Sequence, residues 1–192
     1  MAANISLVKR RNERAQGFMD RALAQDPLNI GLLMNSGDHL ILQQRFGEAA
    51  NALNAALEID PGFRPAILRL ALAEGFDGRA SEAFECLDRA RSHGGEDAAY
   101  FEYLAIVSGR LGQEDAAREA AAKLQALFDQ SAGPSPWSLA RAWASAGELE
   151  RGAACLESAV EARSSSMPFL AITPVLAPIR DLPAVQKIMR EA

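Results

Sequence analysis

The sequence has few of the residues that cross-link small proteins or bind metals. Its 192 residues include two cysteines, Cys86 and Cys155, and two histidines, His39 and His93. Two isolated cysteines form no C-x-x-C pair, so a disulfide framework is excluded and two buried free thiols are predicted. The histidines have no carboxylate or cysteine at ligand spacing. We therefore predict no metal site and no cofactor.

Long apolar runs and positive charge are also scarce. No apolar run approaches the roughly 20 residues that span a bilayer, and the first residues lack the apolar centre of a signal peptide. We expect a cytoplasmic protein with no membrane partner. The net charge of -5 argues against a nucleic-acid partner, because binding to phosphates needs a basic surface.

Aromatic residues make up only 6% of the chain, while alanine is abundant. This balance favours close-packed helices over a β-sandwich, whose strands need β-branched and aromatic residues. The hydrophobic fraction of 49% and the charged fraction of 23% are typical of a folded soluble chain. The length allows one domain or two small ones.

A step of 34 residues recurs along the chain. Asp26-Pro27 is followed at this step by Asp60-Pro61, and two series of small or apolar residues keep the same spacing: Ala15, Ala49, Ala83, Ala117 and Ala22, Ala56, Ala90, Leu124. Within each step, apolar residues three and four apart mark two helical stretches. Glycines at 78, 112 and 147 mark the turn between them. The pattern predicts an all-α fold of repeated helix hairpins, with small residues where the helices cross.

With this pattern, the sequence resembles bacterial proteins of the tetratricopeptide-repeat family. The positions that carry the resemblance best are Leu33, Ser36, Gly37, Leu40, Ala49, Leu53, Ala56 and Pro61. The sequence departs from the family pattern at Glu74 and Ser108, where a large apolar residue is usual. The resemblance implies a right-handed α-solenoid of about four full repeats, forming a single domain over residues 1–192.

The chain divides into six predicted segments. Repeats are expected at 30–61, 64–97, 98–131 and 133–163, and residues 5–25 form an N-terminal helix or half repeat, either the remnant of a unit or a natural cap. Residues 164–192 hold several prolines, which exclude one regular helix. They are predicted as a proline-rich loop and a helix that caps the last repeat. Asp26 and Asp60 are candidate N-caps for the helices that follow them.

The function that the resemblance implies is binding in a concave groove lined by the first helix of each hairpin. The matching positions are Met34, Asp38, Leu42, Leu68, Leu72, Phe76, Glu102, Ile106, Arg110, Trp137 and Arg141. Leu68, Leu72 and Phe76 fit core packing equally well, and spacing alone does not separate the two alternatives. If exposed, they would form an apolar groove for a partner helix or extended peptide.

The charged groove positions point to two further expectations. Arg110 and Arg141 either grip a partner's carboxylate or are surface arginines with no specific role. Asp38 and Glu102 would repel an anionic tail, so the chain is not expected to hold the acidic tail of a chaperone as some family members do.

No residue pattern predicts catalysis. Asp38 and His39 are helix neighbours that point about 100° apart, and Cys86 lies two turns from His93, about 10 Å along a helix. We predict a non-catalytic interaction module whose partner is a protein or peptide. The alternative is a regulatory or sensory segment of a larger bacterial signalling or transcription-regulatory protein. A homo-oligomer is compatible with the sequence but is not indicated by it.

Overall fold

The computed structural model describes residue 14 and residues 17–130 and 133–191. Residues 5–13, 15 and 16 of the predicted N-terminal half repeat lie outside the described residues, as do residues 131 and 132. Contacts divide the chain into two compact units, an N-terminal unit that ends at Gly95 and a C-terminal unit that begins at Glu96. The single repeat domain predicted over 1–192 does not include such a division.

The N-terminal unit is built from helices joined by short turns. Helix α1 covers residues 17–25, followed by α2 (Ile30–Leu42), α3 (Phe46–Ile59), α4 (Arg64–Phe76) and α5 (Ala80–Gly94). Helices α2 and α3 pack as one hairpin and α4 and α5 as the next, while α3 also packs on α4. Both hairpins lie inside the ranges 30–61 and 64–97.

The C-terminal unit continues the pattern and then changes. Its hairpins are α6 (Ala98–Arg110) with α7 (Glu114–Asp129), and α8 (Pro136–Ser145) with α9 (Leu149–Glu161). Two 3-10 turns follow, Met167–Phe169 and Pro174–Ile179, before α10 (Pro183–Glu191). The described residues are helical or irregular and contain no strand, which confirms the all-α prediction.

The turn inside each hairpin requires a left-handed backbone at one position. Gly78, Gly112 and Gly147 have φ of 83°, 77° and 79°, which glycine adopts at no steric cost. The equivalent residue of the α2–α3 hairpin is Gln44, with φ of 60°. The glycine turns predicted from the sequence are confirmed, and Gln44 supplies the same conformation with a side chain present.

Small residues allow the helices of each hairpin to approach closely. Ala49, Ala83 and Ala117 are fully buried, and an ideal Cβ at Gly37 would lie 2.7 Å from Cγ of Leu53. Because protein interiors are close-packed, larger side chains at these positions would force the helices apart. The predicted need for small residues is confirmed.

Helices α6 and α8 meet even more closely, at Gly109. An ideal Cβ there would lie 1.9 Å from the main-chain oxygen of Ser145. Because that obstacle is main chain, it cannot rotate away. Gly109 therefore sets the spacing of the two helices.

Two departures from the family pattern are buried polar residues. Glu74 is 7% exposed, and its carboxylate accepts a hydrogen bond from Nε of Arg79, which also pairs with Asp77 at 2.9 Å. Ser108 is fully buried, and its hydroxyl has no hydrogen-bond partner among the described residues. The buried carboxylate of Glu74 is thus neutralised by Arg79, whereas the buried hydroxyl of Ser108 lacks a partner among the described residues.

The predicted aspartate caps are wrong. Asn29 caps α2 by accepting a hydrogen bond from the Leu32 amide at 3.0 Å, and Asp26 accepts one from the Asn29 side chain. Asp60 accepts from the Gly62 amide inside the α3–α4 turn. The aspartates therefore shape the turns, and the adjacent prolines lie in the junctions between hairpins.

Residues 164–191 pack on α8 and α9. The shared cluster contains Trp137, Ala140, Ala144, Ala153, Leu156, Leu170, Leu176, Ile179 and Val185. Arg180 fixes the segment internally by donating from Nε to the Leu170 carbonyl and from Nη2 to the Thr173 carbonyl. Burial lowers the pKa of this guanidinium below its ordinary value. The role of the segment as a cap stays a prediction.

Candidate partner-binding surface

Each first helix of a hairpin carries predicted groove residues four positions apart. They are Met34, Asp38 and Leu42 on α2; Leu68, Leu72 and Phe76 on α4; Glu102, Ile106 and Arg110 on α6; Trp137 and Arg141 on α8. Residues four apart on a helix share a face, so each set forms a stripe along its helix.

Burial removes four of the apolar groove residues from the accessible surface. Leu68 and Leu72 are 4% exposed, Ile106 is 1% exposed and Trp137 is 8% exposed. Side chains this buried offer almost no area to a partner. The expectation of an open groove does not hold at these four positions. Core packing, the alternative left open for Leu68 and Leu72, applies to both leucines, and Trp137 packs against the C-terminal segment.

In the N-terminal unit, an ion pair joins the two first helices. Nε of Arg69 on α4 donates to both carboxylate oxygens of Asp38 on α2, at 2.7 and 2.8 Å, and Nη1 donates to the Pro65 carbonyl at 3.0 Å. Met34 and Leu42 lie one turn before and after Asp38 and are half-buried. We call Met34, Asp38, Leu42 and Arg69 the α2–α4 face.

Phe76 takes part in a different contact. Its ring centroid lies 5.1 Å from that of Phe46 at the start of α3, with 35° between the ring planes. Aromatic rings at this separation attract each other beyond their burial of area. Phe76 is half-buried, so it takes part in the packing of α4 on α3 and also keeps some accessible surface.

In the C-terminal unit, a second ion pair joins α6 and α8. Nη1 of Arg141 donates to Oε1 of Glu102 at 2.6 Å, and its Cζ lies 5.6 Å from the centroid of the Tyr103 ring. The side chains of Arg141 and Glu102 are 15% and 10% exposed, and Arg110 is exposed. We call Glu102, Tyr103, Arg110 and Arg141 the α6–α8 face.

The two ion pairs change the electrostatic argument made from the sequence. Asp38 and Glu102 were expected to repel an anionic tail, but each carboxylate is neutralised by an arginine at hydrogen-bond distance. Arg141 was a candidate for gripping a partner's carboxylate, and it already holds Glu102. Repulsion by these carboxylates is therefore weaker than the sequence indicates.

Sequence reasoning missed Arg69 and Tyr103. They occupy equivalent positions 34 residues apart, each one position after a predicted groove residue, Leu68 or Glu102. The repeat register contains that signal. It was not used because the family's groove positions skip this place.

The titratable groups show the effects of burial. Burial raises the pKa of the Cys86 thiol to about 11, and raises that of Cys155 above its ordinary value. Because their pKa values are raised, both thiols are poor nucleophiles at neutral pH. Burial lowers the pKa of His39, while the Asp38 carboxylate acts in the opposite direction. Across residues 17–130 and 133–191, no three His, Cys, Asp or Glu side chains are grouped to hold a metal ion.

No helix in the described part of the chain has the length and apolarity needed to cross a bilayer.

Comparison with known proteins gives likeness in structure only. No protein-family model and no curated protein matches the sequence. A solved tetratricopeptide repeat protein from Parabacteroides merdae is 18% identical, with 90% of this chain and 70% of that chain covered and a TM-score of 0.65. A crystal structure of MamA is 20% identical, with 81% and 90% covered and a TM-score of 0.52. At such identity the likeness shows the fold, and the chain therefore has a tetratricopeptide-repeat-like fold of helix hairpins.

Proposed function

We propose that this chain is a non-catalytic interaction module that binds an extended peptide or a helix of a partner protein. The α2–α4 face is the binding surface in the N-terminal unit. The raised pKa values of the two thiols and the lack of grouped metal ligands among the described residues support a role without chemistry.

The observation that carries the proposal is the arrangement around Asp38. Two apolar side chains, Met34 and Leu42, flank a charged pair that is itself held in place, and none of these residues is fully buried. An apolar anchor beside a fixed polar group is the usual composition of a peptide site, because the anchor supplies affinity and the polar group fixes register.

The balanced charge of the α2–α4 face favours a partner segment that is uncharged where it contacts this face. Asp38 and Arg69 neutralise each other, so a partner's charged side chain gains little by approaching them. An apolar side chain placed against Met34 gains from the removal of both surfaces from water.

The test is affinity capture with the full chain as bait, comparing wild type with Met34→Glu. Leu28→Glu is the matched control, because Leu28 is 70% exposed in the turn before α2 and outside the face. A protein retained by wild type and by Leu28→Glu is then purified, and its Kd is measured by isothermal titration calorimetry.

We expect Met34→Glu to weaken this Kd at least about tenfold, since the loss of one buried apolar side chain costs about 1.5–3 kcal/mol. Equal affinity of wild type and Met34→Glu would exclude the α2–α4 face as the binding surface. Circular dichroism of each variant verifies that the helices remain.

A further inference from the structure

Arg141 is held on only one side of its guanidinium group. Nη1 donates to Glu102, which is the only hydrogen bond of this side chain among the described residues. Nε is buried and has no acceptor among those residues. Neither Nε nor Nη2 therefore has a protein acceptor among the described residues.

Arg69 in the N-terminal unit provides the contrast. It bridges two first helices in the same way, but its Nε donates to both oxygens of Asp38, and its Nη1 donates to the Pro65 carbonyl. The arginine of the α2–α4 face thus has an acceptor for Nε, whereas the arginine of the α6–α8 face does not.

A buried charged donor without an acceptor is unusual in native proteins and calls for a physical explanation. Nε–H and one N–H of Nη2 point in parallel, so one edge of a guanidinium suits an oxygen acceptor with two donors. The Arg141 side chain is 15% exposed, so part of it is accessible to an incoming group, whereas contact with the buried Nε requires the guanidinium to rotate.

The charge of the site selects the acceptor. Glu102 already neutralises Arg141, and both side chains are largely buried. A second carboxylate would place an uncompensated negative charge in this poorly solvated position, which is costly. An uncharged amide oxygen satisfies the donors and adds no charge.

We infer that the Nε–Nη2 edge of Arg141 binds the oxygen of an uncharged amide of the partner polypeptide, while Nη1 keeps Glu102. The amide is either a main-chain peptide group or the side chain of Asn or Gln. This inference rests on the proposed function, because it names the chemistry through which the partner contacts the α6–α8 face.

The test uses random peptides displayed on phage and selected on the full chain. Selected peptides are synthesised with amidated C-termini, and their Kd is measured for wild type, Arg141→Lys and Met34→Glu. Lysine keeps the positive charge and the contact with Glu102 but has no N–H at the place of Nε. Arg118→Lys is the matched control, because Arg118 lies on α7, outside the α6–α8 face, and its side chain is 46% exposed.

For a peptide that uses the site, we expect Arg141→Lys to weaken binding about tenfold or more and Arg118→Lys to leave it unchanged. The urea midpoint of Arg141→Lys is expected to stay close to that of wild type, because lysine keeps the positive charge beside Glu102. A lower midpoint together with weaker binding would indicate a structural role for Arg141 and overturn the inference.

Substitutions in the peptide identify the acceptor. Loss of the Arg141 dependence on replacing one Asn or Gln by Ala identifies a side-chain amide, and its loss on a thioamide replacement identifies a main-chain carbonyl. A dependence that instead disappears when a peptide Asp or Glu is neutralised would overturn the inference in favour of a carboxylate.

The outcomes also separate this inference from the proposed function. Peptides that lose affinity for Met34→Glu but bind Arg141→Lys as they bind wild type leave the proposed function standing and refute the role of Arg141. If no selected peptide responds to either substitution, or no peptide is selected, both fail.

Discussion

The contact between Gly109 and the main chain of Ser145 makes a strong prediction about stability. In Gly109→Ala, the new Cβ would lie 1.9 Å from the Ser145 oxygen, whereas ordinary contacts begin near 3.4 Å. Helices α6 and α8 must therefore separate by about 1.5 Å at this point. Since the obstacle is main chain, no rotamer change relieves it.

The expected magnitude follows from two opposing effects. Overpacking of a close-packed interior costs about 1–3 kcal/mol, and a clash with main chain belongs at the upper end. Alanine gains up to about 1 kcal/mol over glycine in a helix, and less in the last turn, where Gly109 lies. We expect the free energy of unfolding to fall by about 2 kcal/mol.

Tryptophan fluorescence during urea denaturation measures this change where it occurs. The chain has two tryptophans, Trp137 and Trp143, and both lie on α8. They are 8% and 1% exposed, so displacement of α8 should also move their emission to longer wavelength. The readout thus reports on the helix that must shift.

The matched control is Gly47→Ala on α3. There the nearest atom to the new Cβ is 4.0 Å away, so the substitution is expected to leave stability unchanged or raise it by up to about 1 kcal/mol. If Gly109→Ala is as stable as wild type, with unshifted emission, the close approach of α6 and α8 is refuted.

Four further outcomes can be measured by denaturation. Gln44→Gly should raise the free energy of unfolding by about 1 kcal/mol, because Gln44 adopts a φ of 60° that glycine adopts without strain; a lower urea midpoint would contradict this. Ser108→Ala should stabilise by about 1 kcal/mol by removing a buried hydroxyl that lacks a partner among the described residues, and a loss of stability would indicate that the hydroxyl is bonded. Leu72→Glu should lower the free energy of unfolding by about 3 kcal/mol or more, since Leu72 is 4% exposed. An unchanged urea midpoint would show instead that Leu72 is exposed to solvent. Burial lowers the folded-state pKa of His39 below 6.5, so the neutral side chain's contribution to stability is complete above about pH 6.5 and is lost as the pH falls from there through the lower folded-state pKa. The drop in midpoint between about pH 7.5 and 5.5 should therefore be smaller in His39→Asn than in wild type.

The features that the sequence predicted well are those with a local physical cause. Glycine at 78, 112 and 147 follows from the left-handed backbone that a tight hairpin turn needs. Small residues such as Ala49 and Ala83 follow from the close crossing of paired helices. Such requirements act on one or two positions and are visible in a single sequence.

The candidate site was less predictable because its properties depend on what covers each helix. Periodicity shows that Leu68 and Leu72 share a face with Phe76, but it does not tell whether another element packs there, and both leucines are buried. The partners of Asp38 and Glu102 lie 31 and 39 residues away. No spacing rule specifies which arginine reaches which carboxylate.

The order of packing within each unit has a consequence for how the chain folds and opens. The main contacts of helices α2 to α7 are with helices next or next but one along the chain. Ordering such a structure closes only short loops, so each unit is expected to fold on about a millisecond or faster timescale. Because the two hairpins of a unit pack on each other, opening of one hairpin is expected to speed hydrogen exchange in the other hairpin of the same unit.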